Sequence, residues 1–235
     1  MKDPTSTSQD TSTAAPSAEG AGPTTRAQVQ TIALDQPDGF KPIHVGIDVV
    51  QFKDRKALRV VDAAPPEVGA GRLLILPGSE IGDGSIEIDV AGDVMGGADP
   101  ALGPRGFVGV AFHINAGASA FEHIYLRPTN ARAEDQVRRN HSVQYAAEPD
   151  APWYVLREQS PEKYESYTDL VPGEWTRMRI EIAGTKARLF VHEAEQPTLI
   201  VNDLRLGSAT GRIALWIGPG TVAHFSNLRI SRPTQ

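Results

Sequence analysis

The sequence contains no cysteine, which excludes disulfide scaffolds, thiol nucleophiles and thiolate metal sites together. No apolar run approaches the roughly eighteen residues of a membrane-spanning helix, so no transmembrane segment is expected. The six histidines form no H-x-H or H-x-x-x-H pair, and the usual spacing of a zinc cage is therefore missing. Also missing are a phosphate-cradling glycine loop, a serine-centred elbow and a dinucleotide fingerprint. Positive charge is in deficit: 23 Lys plus Arg stand against 29 Asp plus Glu, a formal net charge of -6. Such a chain has no electrostatic reason to seek a phosphate backbone, and nucleic acid is not an expected partner.

From Met1 to about Gln30 the residues are mostly Ser, Thr, Ala, Pro, Gly, Gln and Asp. That composition cannot bury enough surface to offset its ordering entropy, which predicts a disordered tail over 1–30 and a single domain over 31–235. For an all-β sandwich, 235 residues are an ordinary single-domain length. The tail reads as a tether to a membrane or wall, for a periplasmic or secreted protein whose leader is absent from this sequence. A plain cytoplasmic tail is the alternative.

Beyond the tail the apolar residues alternate with period two, and Gly, Pro and Asp clusters separate the segments. Eleven strands are expected, at 57–61, 72–76, 84–91, 106–114, 121–126, 141–146, 175–182, 186–192, 198–202, 211–217 and 222–230. The Ala183-Gly184-Thr185 turn is short enough for a hairpin. Counting alternate residues places Val108, Val110, Phe112 and Ile114 on one face of their strand, and Phe107, Ala111 and His113 on the other. In the next strand Ile124 and Leu126 point one way, His123, Tyr125 and Arg127 the other. Ile86, Ile88 and Val90 likewise lie opposite Glu87 and Asp89. A dry face backed by a polar one is the pattern of a sheet packed on one side and open to a ligand on the other.

The succession "GSIEIDVAG", "GFVGVAFHI", "FEHIYLRPTN" with "HSVQY", "GEWTRMRIEIAGTKARLFV" and "GRIALWIGPGTVAHFSNLRI" resembles the concanavalin A-like lectin/glucanase superfamily. Within it, the sequence is most similar to bacterial 3-keto-disaccharide hydrolase-like domains. The likeness runs from Val45 to Ile230. It implies an all-β, two-sheet antiparallel jelly roll with a ligand site on the concave sheet face. It implies an activity less directly, because function lives in the site and not in the fold.

Four constellations could carry chemistry. Glu87, Asp89 and Asp93 in "EIDVAGD" resemble the carboxylate row of retaining β-glucanases, but Ala91 and Gly92 stand where the third carboxylate belongs. Glu87 and Asp89 are then sugar-binding groups or simply a solvated strand face. His123, Tyr125 and Arg127, joined by His113, could supply acid/base catalysis and hold a hydroxyl or carboxylate; an exposed polar face is the alternative. Asn130, Arg138, Arg139, His141, Gln144 and Tyr145 form a donor-rich loop suited to an anionic group such as a uronate or phosphate. Internal ion pairs of Arg138 or Arg139 with Glu134 or Asp135 would explain the same residues. Finally, Trp153, Tyr154 and Tyr164 could stack on sugar rings and Glu165 could be an acid supplied from a loop, or the aromatics could anchor that loop. Trp175 and Trp216 read as packing residues.

No cofactor is expected. The resemblance allows a structural calcium at turn carboxylates such as Asp83 or Asp93, although no loop matches an EF-hand. The first reading is thus a carbohydrate-active enzyme, a glycoside hydrolase or lyase using His113, His123, Tyr125 and Glu165. A lectin-like carbohydrate-binding module is the second reading and a structural or adhesion domain the third. The expected partner is a carbohydrate or another polar, anionic small molecule.

Overall fold

Alternation with period two, broken by glycine- and proline-rich turns, builds strands whose apolar sides can only be dried against a second sheet. A computed structural model describes residues 27–65, 71–97 and 105–234. In chain order the strands begin with β1 (Ala27–Ile32), β2 (Lys41–Ile43), β3 (Val45–Phe52), β4 (Arg55–Asp62) and β5 (Leu73–Ile75). There follow β6 (Gly84–Val94), β7 (Val108–Ile114), β8 (Phe121–Leu126), β9 (Val143–Glu148) and β10 (Glu165–Ser166). The last are β11 (Thr176–Ala183), β12 (Lys186–Val191), β13 (Leu199–Val201), β14 (Arg212–Ile217) and β15 (Thr221–Pro233). Short helices α1 (Pro128–Ala131), α2 (Gln136–Asn140) and α3 (Trp153–Gln159) all fall between β8 and β10.

Two antiparallel sheets result. One runs β13-β12-β11-β6-β15-β4-β3, with β1 also paired to β15; the other runs β10-β9-β8-β7-β14-β5-β2. Ile86, Ile88 and Val90 of β6, with Met178 and Ile180 of β11, meet Val108, Val110, Phe112, Ile124, Leu126 and Leu215 across the sandwich. Each such side chain contributes roughly 1.5–3 kcal/mol by leaving water. The fold is the two-sheet jelly roll implied by the sequence resemblance.

A second, smaller apolar cluster covers the outer face of the seven-stranded sheet, built from Leu73, Ile75, Ala111, Ile114, Phe121, Tyr125, Ala214 and Trp216. Ile114 belongs here because β7 carries a bulge. Opposite it, Arg212 pairs with Ile114 and Ala214 with Ala111, so β7 spends one residue more than β14 over this stretch. His113 takes φ 54° at the bulge. One extra residue exchanges the two faces beyond it. The expected sides of His113 and Ile114 are therefore corrected: Ile114 faces outward and His113 turns toward the buried carboxylate of Glu122.

The expected tail boundary is corrected as well. Gln30 lies within β1 and pairs with Ile230. The strand was hidden in the sequence because β1 is mostly exposed and need not alternate strongly. Residues 1–26 of the expected tail lie outside the described residues.

Candidate functional site

On β8 the alternation holds. Ile124 and Leu126 enter the main core, while His123, Tyr125 and Arg127 emerge on the other face. They are nonetheless 2%, 1% and 3% exposed, because the chain between β8 and β10 and the residues before β7 fold over them. What was expected as an open polar face is a covered groove with two lobes.

The first lobe, of about 400 Å³, is lined mainly by aromatic groups: Phe107, His123, Tyr125, Trp153, Tyr154 and Trp216, with Glu148 at its side. The Trp216 ring lies 4.5 Å from Tyr125 and 4.6 Å from His123, centroid to centroid. Neither ring nitrogen of His123 has a hydrogen-bond partner; the nearest carboxylate oxygen, of Glu148, is 3.6 Å from Nε2. Burial pulls the His123 pKa down, against the raising influence of Glu148, so the ring is neutral at neutral pH. A neutral imidazole offers one donor and one acceptor, a combination that suits a hydroxyl. Burial pushes the Tyr125 phenol up, and it remains protonated.

The second lobe, of about 550 Å³, shares Arg105, Phe107 and Trp153 with the first and adds Arg127, Asn130, Asp135, Arg138, His141 and Arg157. Arg127 is fixed by neutral acceptors: its Nη2 donates to the Tyr125 hydroxyl at 3.0 Å and to Gln144 Oε1 at 2.9 Å. Its guanidinium also lies 5.1 Å from the Phe107 ring and 5.4 Å from that of Trp153, within cation–π range. Arg138 Nε donates to Asn130 Oδ1 at 3.0 Å, and Asn130 Nδ2 donates to the His141 carbonyl at 3.2 Å. Arg157, one turn along α3 from Trp153, packs 4.7 Å over that indole and clamps Glu165 through Nε and Nη2.

The groove thus unites eight expected residues, His123, Tyr125, Arg127, Asn130, Arg138, His141, Trp153 and Tyr154, as its lining. Gln144 stands behind Arg127 as a support. Six expected site residues are corrected. His113 and Tyr145 both bind Glu122 inside the sandwich, at 2.6 and 2.5 Å. Glu87 and Asp89 lie on the other sheet, where Arg177 bridges them at 2.7 and 3.1 Å and Arg55 holds Asp89 at 2.9 Å. Arg139 donates to the Ala131 carbonyl and lines neither lobe. The sixth, Glu165, has a side chain only 3% exposed and is committed to Arg157, with His141 Nε2 at 3.2 Å. It is built as a counter-ion, which does not suit a mobile acid. The proposed pairing of Arg138 or Arg139 with loop carboxylates is replaced by a helix cap, in which Asp135 Oδ1 accepts the Arg138 backbone N–H at 2.7 Å.

Tyr164 is a buried anchor whose hydroxyl donates to Asp203. Trp175 packs against Phe52, as a packing residue should. Trp216, read from sequence as packing, lines the groove. Alternation would have found it, since Ile213, Leu215 and Ile217 share the core face of β14. Arg105 and Arg157 carried no such signal, because one precedes a strand and the other needs α3 to bring it over Trp153. Of the turn carboxylates considered for calcium, Asp83 and Asp93 each spend one oxygen on a backbone N–H. Among the described residues no three metal-binding side chains come together.

No protein-family model matches the chain, and neither does any curated protein sequence. Solved structures do match in shape. A carbohydrate-binding module, CBM66, from Bacillus subtilis superposes with a TM-score of 0.50 at 12% identity, over 81% of this chain and 94% of the other. A protein of unknown function with a galectin-like fold, also from Bacillus subtilis, gives 0.50 at 11% identity, over 86% and 94%. At these identities the likeness shows a shared two-sheet β-sandwich fold and nothing further. No helix among the described residues is long and apolar enough to cross a membrane.

Proposed function

We propose that this chain is a carbohydrate-binding domain whose sugar site is the groove on the outer face of the seven-stranded sheet. One observation carries the reading: His123, with neither ring nitrogen hydrogen-bonded and Glu148 3.6 Å from Nε2, sits among the rings of Tyr125 and Trp216. A buried polar group without a partner is costly unless a ligand completes it. An aromatic wall beside such a group suits a sugar, whose C–H faces stack while its hydroxyls seek hydrogen bonds. The shape likeness to a carbohydrate-binding module supports the same reading. The arginines of the second lobe favour a ligand bearing negative charge. A sugar-binding role also fits a secreted or periplasmic setting, where polysaccharide is met.

Cleavage is the second reading, and Glu148 favours it: its carboxylate lies 3.6 Å from the neutral His123 at the edge of the aromatic lobe. Hydrolysis needs two carboxyl groups flanking the bond, about 5–5.5 Å or 6.5–9.5 Å apart. Glu165, the other carboxylate near Arg127, is held in its clamp, so binding is the better supported role. Isothermal titration of the full chain against a panel of neutral and acidic oligosaccharides tests the proposal. Binding that Trp216→Ala weakens at least tenfold is expected. Failure of every glycan to bind, or wild-type affinity in Trp216→Ala, overturns it.

A further inference from the structure

We infer that the arginine-lined lobe is an anion subsite that takes the carboxylate of a uronic acid residue, with Arg105 as its anchor. The inference rests on the carbohydrate reading and names the class of sugar. Four guanidinium groups, of Arg105, Arg127, Arg138 and Arg157, line this one lobe. Glu165 neutralises Arg157, and Asp135 is the only carboxylate among the lining residues. Positive charge is therefore in local surplus, although the chain as a whole is acidic.

Two donors in the lobe are unspent. The Arg105 side chain has no hydrogen-bond or ion-pair partner among the described residues, while its backbone carbonyl accepts from Thr129. Arg127 Nε is buried and unpaired, while Nη2 donates to Tyr125 and Gln144 and Nη1 to the His141 carbonyl at 3.4 Å. Burial, and after it the like charges of Arg138, Arg127 and Arg157, pull the Arg105 pKa below its ordinary value. Like charges gathered in a half-covered lobe repel more strongly than in water, and an anion entering there relieves that repulsion.

The lobe already shows which anion its arginines accept. Glu165 offers them a carboxylate, received side-on by Arg157 with His141 and Arg127 beside it. A uronate presents the same planar, two-oxygen group that guanidinium recognises in bidentate fashion. Arg105, Phe107 and Trp153 border both lobes, so one ligand spans them. One sugar ring lies against the aromatic wall, and the carboxylate of the adjoining residue reaches Arg105 and Arg127.

The test is calorimetric titration of the full chain with tetragalacturonate and tetramannuronate, each paired with its uncharged methyl ester, and with a neutral and a sulfated xylotetraose. At least one acid is expected to bind tenfold or more tightly than its own ester at physiological salt. Arg105→Gln should lower that acid-to-ester ratio at least tenfold, Arg105→Lys should restore part of it, and both variants should melt with the parent. Equal binding of acid and ester, or preference for a neutral sugar, overturns the anion subsite while leaving the carbohydrate reading standing. Stronger binding of the sulfated tetrasaccharide than of either acid overturns the carboxylate assignment. An unchanged ratio in Arg105→Gln overturns the anchor, and failure of every probe to bind overturns both the subsite and the carbohydrate reading.

Discussion

Tyr125 and Trp216 meet with their ring centroids 4.5 Å apart although β7 runs between their strands. Two strand spacings place such residues about 9.5 Å apart at the backbone. The residue between them, paired with Tyr125 on one side and Trp216 on the other, is Gly109. Without a side chain there, the two rings lean together over the strand and close the aromatic wall of the groove. A Cβ at Gly109 would lie 2.3 Å from the Ile124 carbonyl oxygen and 2.6 Å from Tyr125 Cα. Gly109→Ala is therefore expected to cost about 1–3 kcal/mol through overpacking and to weaken sugar binding by parting the rings. Urea denaturation measures the first effect; an unfolding midpoint equal to the parent's would refute the crowding.

Tyr145 is the opposite case, a tyrosine that looks functional in sequence and is structural in the fold. Its hydroxyl donates to Glu122 Oε1 at 2.5 Å and accepts the Arg205 backbone N–H at 2.8 Å. Burial, then the neighbouring Glu122 charge, push its pKa upward, so it stays a donor. Tyr145→Phe leaves the buried Glu122 carboxylate short of a donor and the Arg205 N–H without this acceptor, and a loss of about 1–3 kcal/mol is expected. Sugar affinity should not change. A variant of normal stability with impaired binding would return Tyr145 to the site.

The two-faced strands were legible because alternation is a local property. It correctly sent Ile124 and Leu126 inward and His123, Tyr125 and Arg127 outward. It failed at His113, where a bulge adds a residue without any mark in "GVAFHI". It also said nothing of the cover over the outer face. Segment 153–159 reads as a proline-flanked loop, yet α3 forms there, with Pro152 as its N-cap residue and Arg157 in its last turn. Placing Arg157 over Trp153 requires that helix, and placing Arg105 beside Arg138 requires chain crossings that no spacing encodes. Glu87 and Asp89 belong to the other sheet for the same reason: strand pairing between distant segments, here β6 with β11 and β15, is a tertiary fact.

Glu165 offers a direct contrast between a counter-ion and a catalytic acid. Glu165→Gln removes the charge that Arg157 grips and that Arg127 and His141 approach at 3.6 and 3.2 Å. A counter-ion role predicts a loss of about 1.5–3 kcal/mol, the worth of hydrogen bonds to charged groups, measured by chemical denaturation. A catalytic acid would behave differently, with near-normal stability and abolished turnover on any glycan that the parent cleaves. The second pattern would sink the assignment made above.

The last prediction concerns acid. His224 of β15 is stacked on Phe52 with ring centroids 3.6 Å apart and an interplanar angle of 8°. Burial, and after it the charge of the cross-strand Arg59, lower its pKa from 6.5 to about 4. The folded chain therefore takes up this proton only near pH 4, whereas an unfolded chain takes it up near 6.5. Between those values the unfolded state holds more protons, so stability must rise with pH. The contribution of His224 is complete above 6.5 and is lost as pH falls toward 4. His123 and His141 are lowered too and act in the same direction. Asp62 and Asp203 lie below the usual carboxylate value of 3.8, so their losses come at more acid pH. Replacing His224 with Gln keeps a flat polar group against Phe52 and removes the titration. Unfolding free energies measured from pH 7 to 4 should then fall less steeply than in the parent, by a margin that grows when salt is withheld, because unscreened Arg59 opposes protonation of His224 more strongly in the folded parent. Parallel curves for parent and variant across that window would show that His224 titrates alike in the folded and unfolded chains.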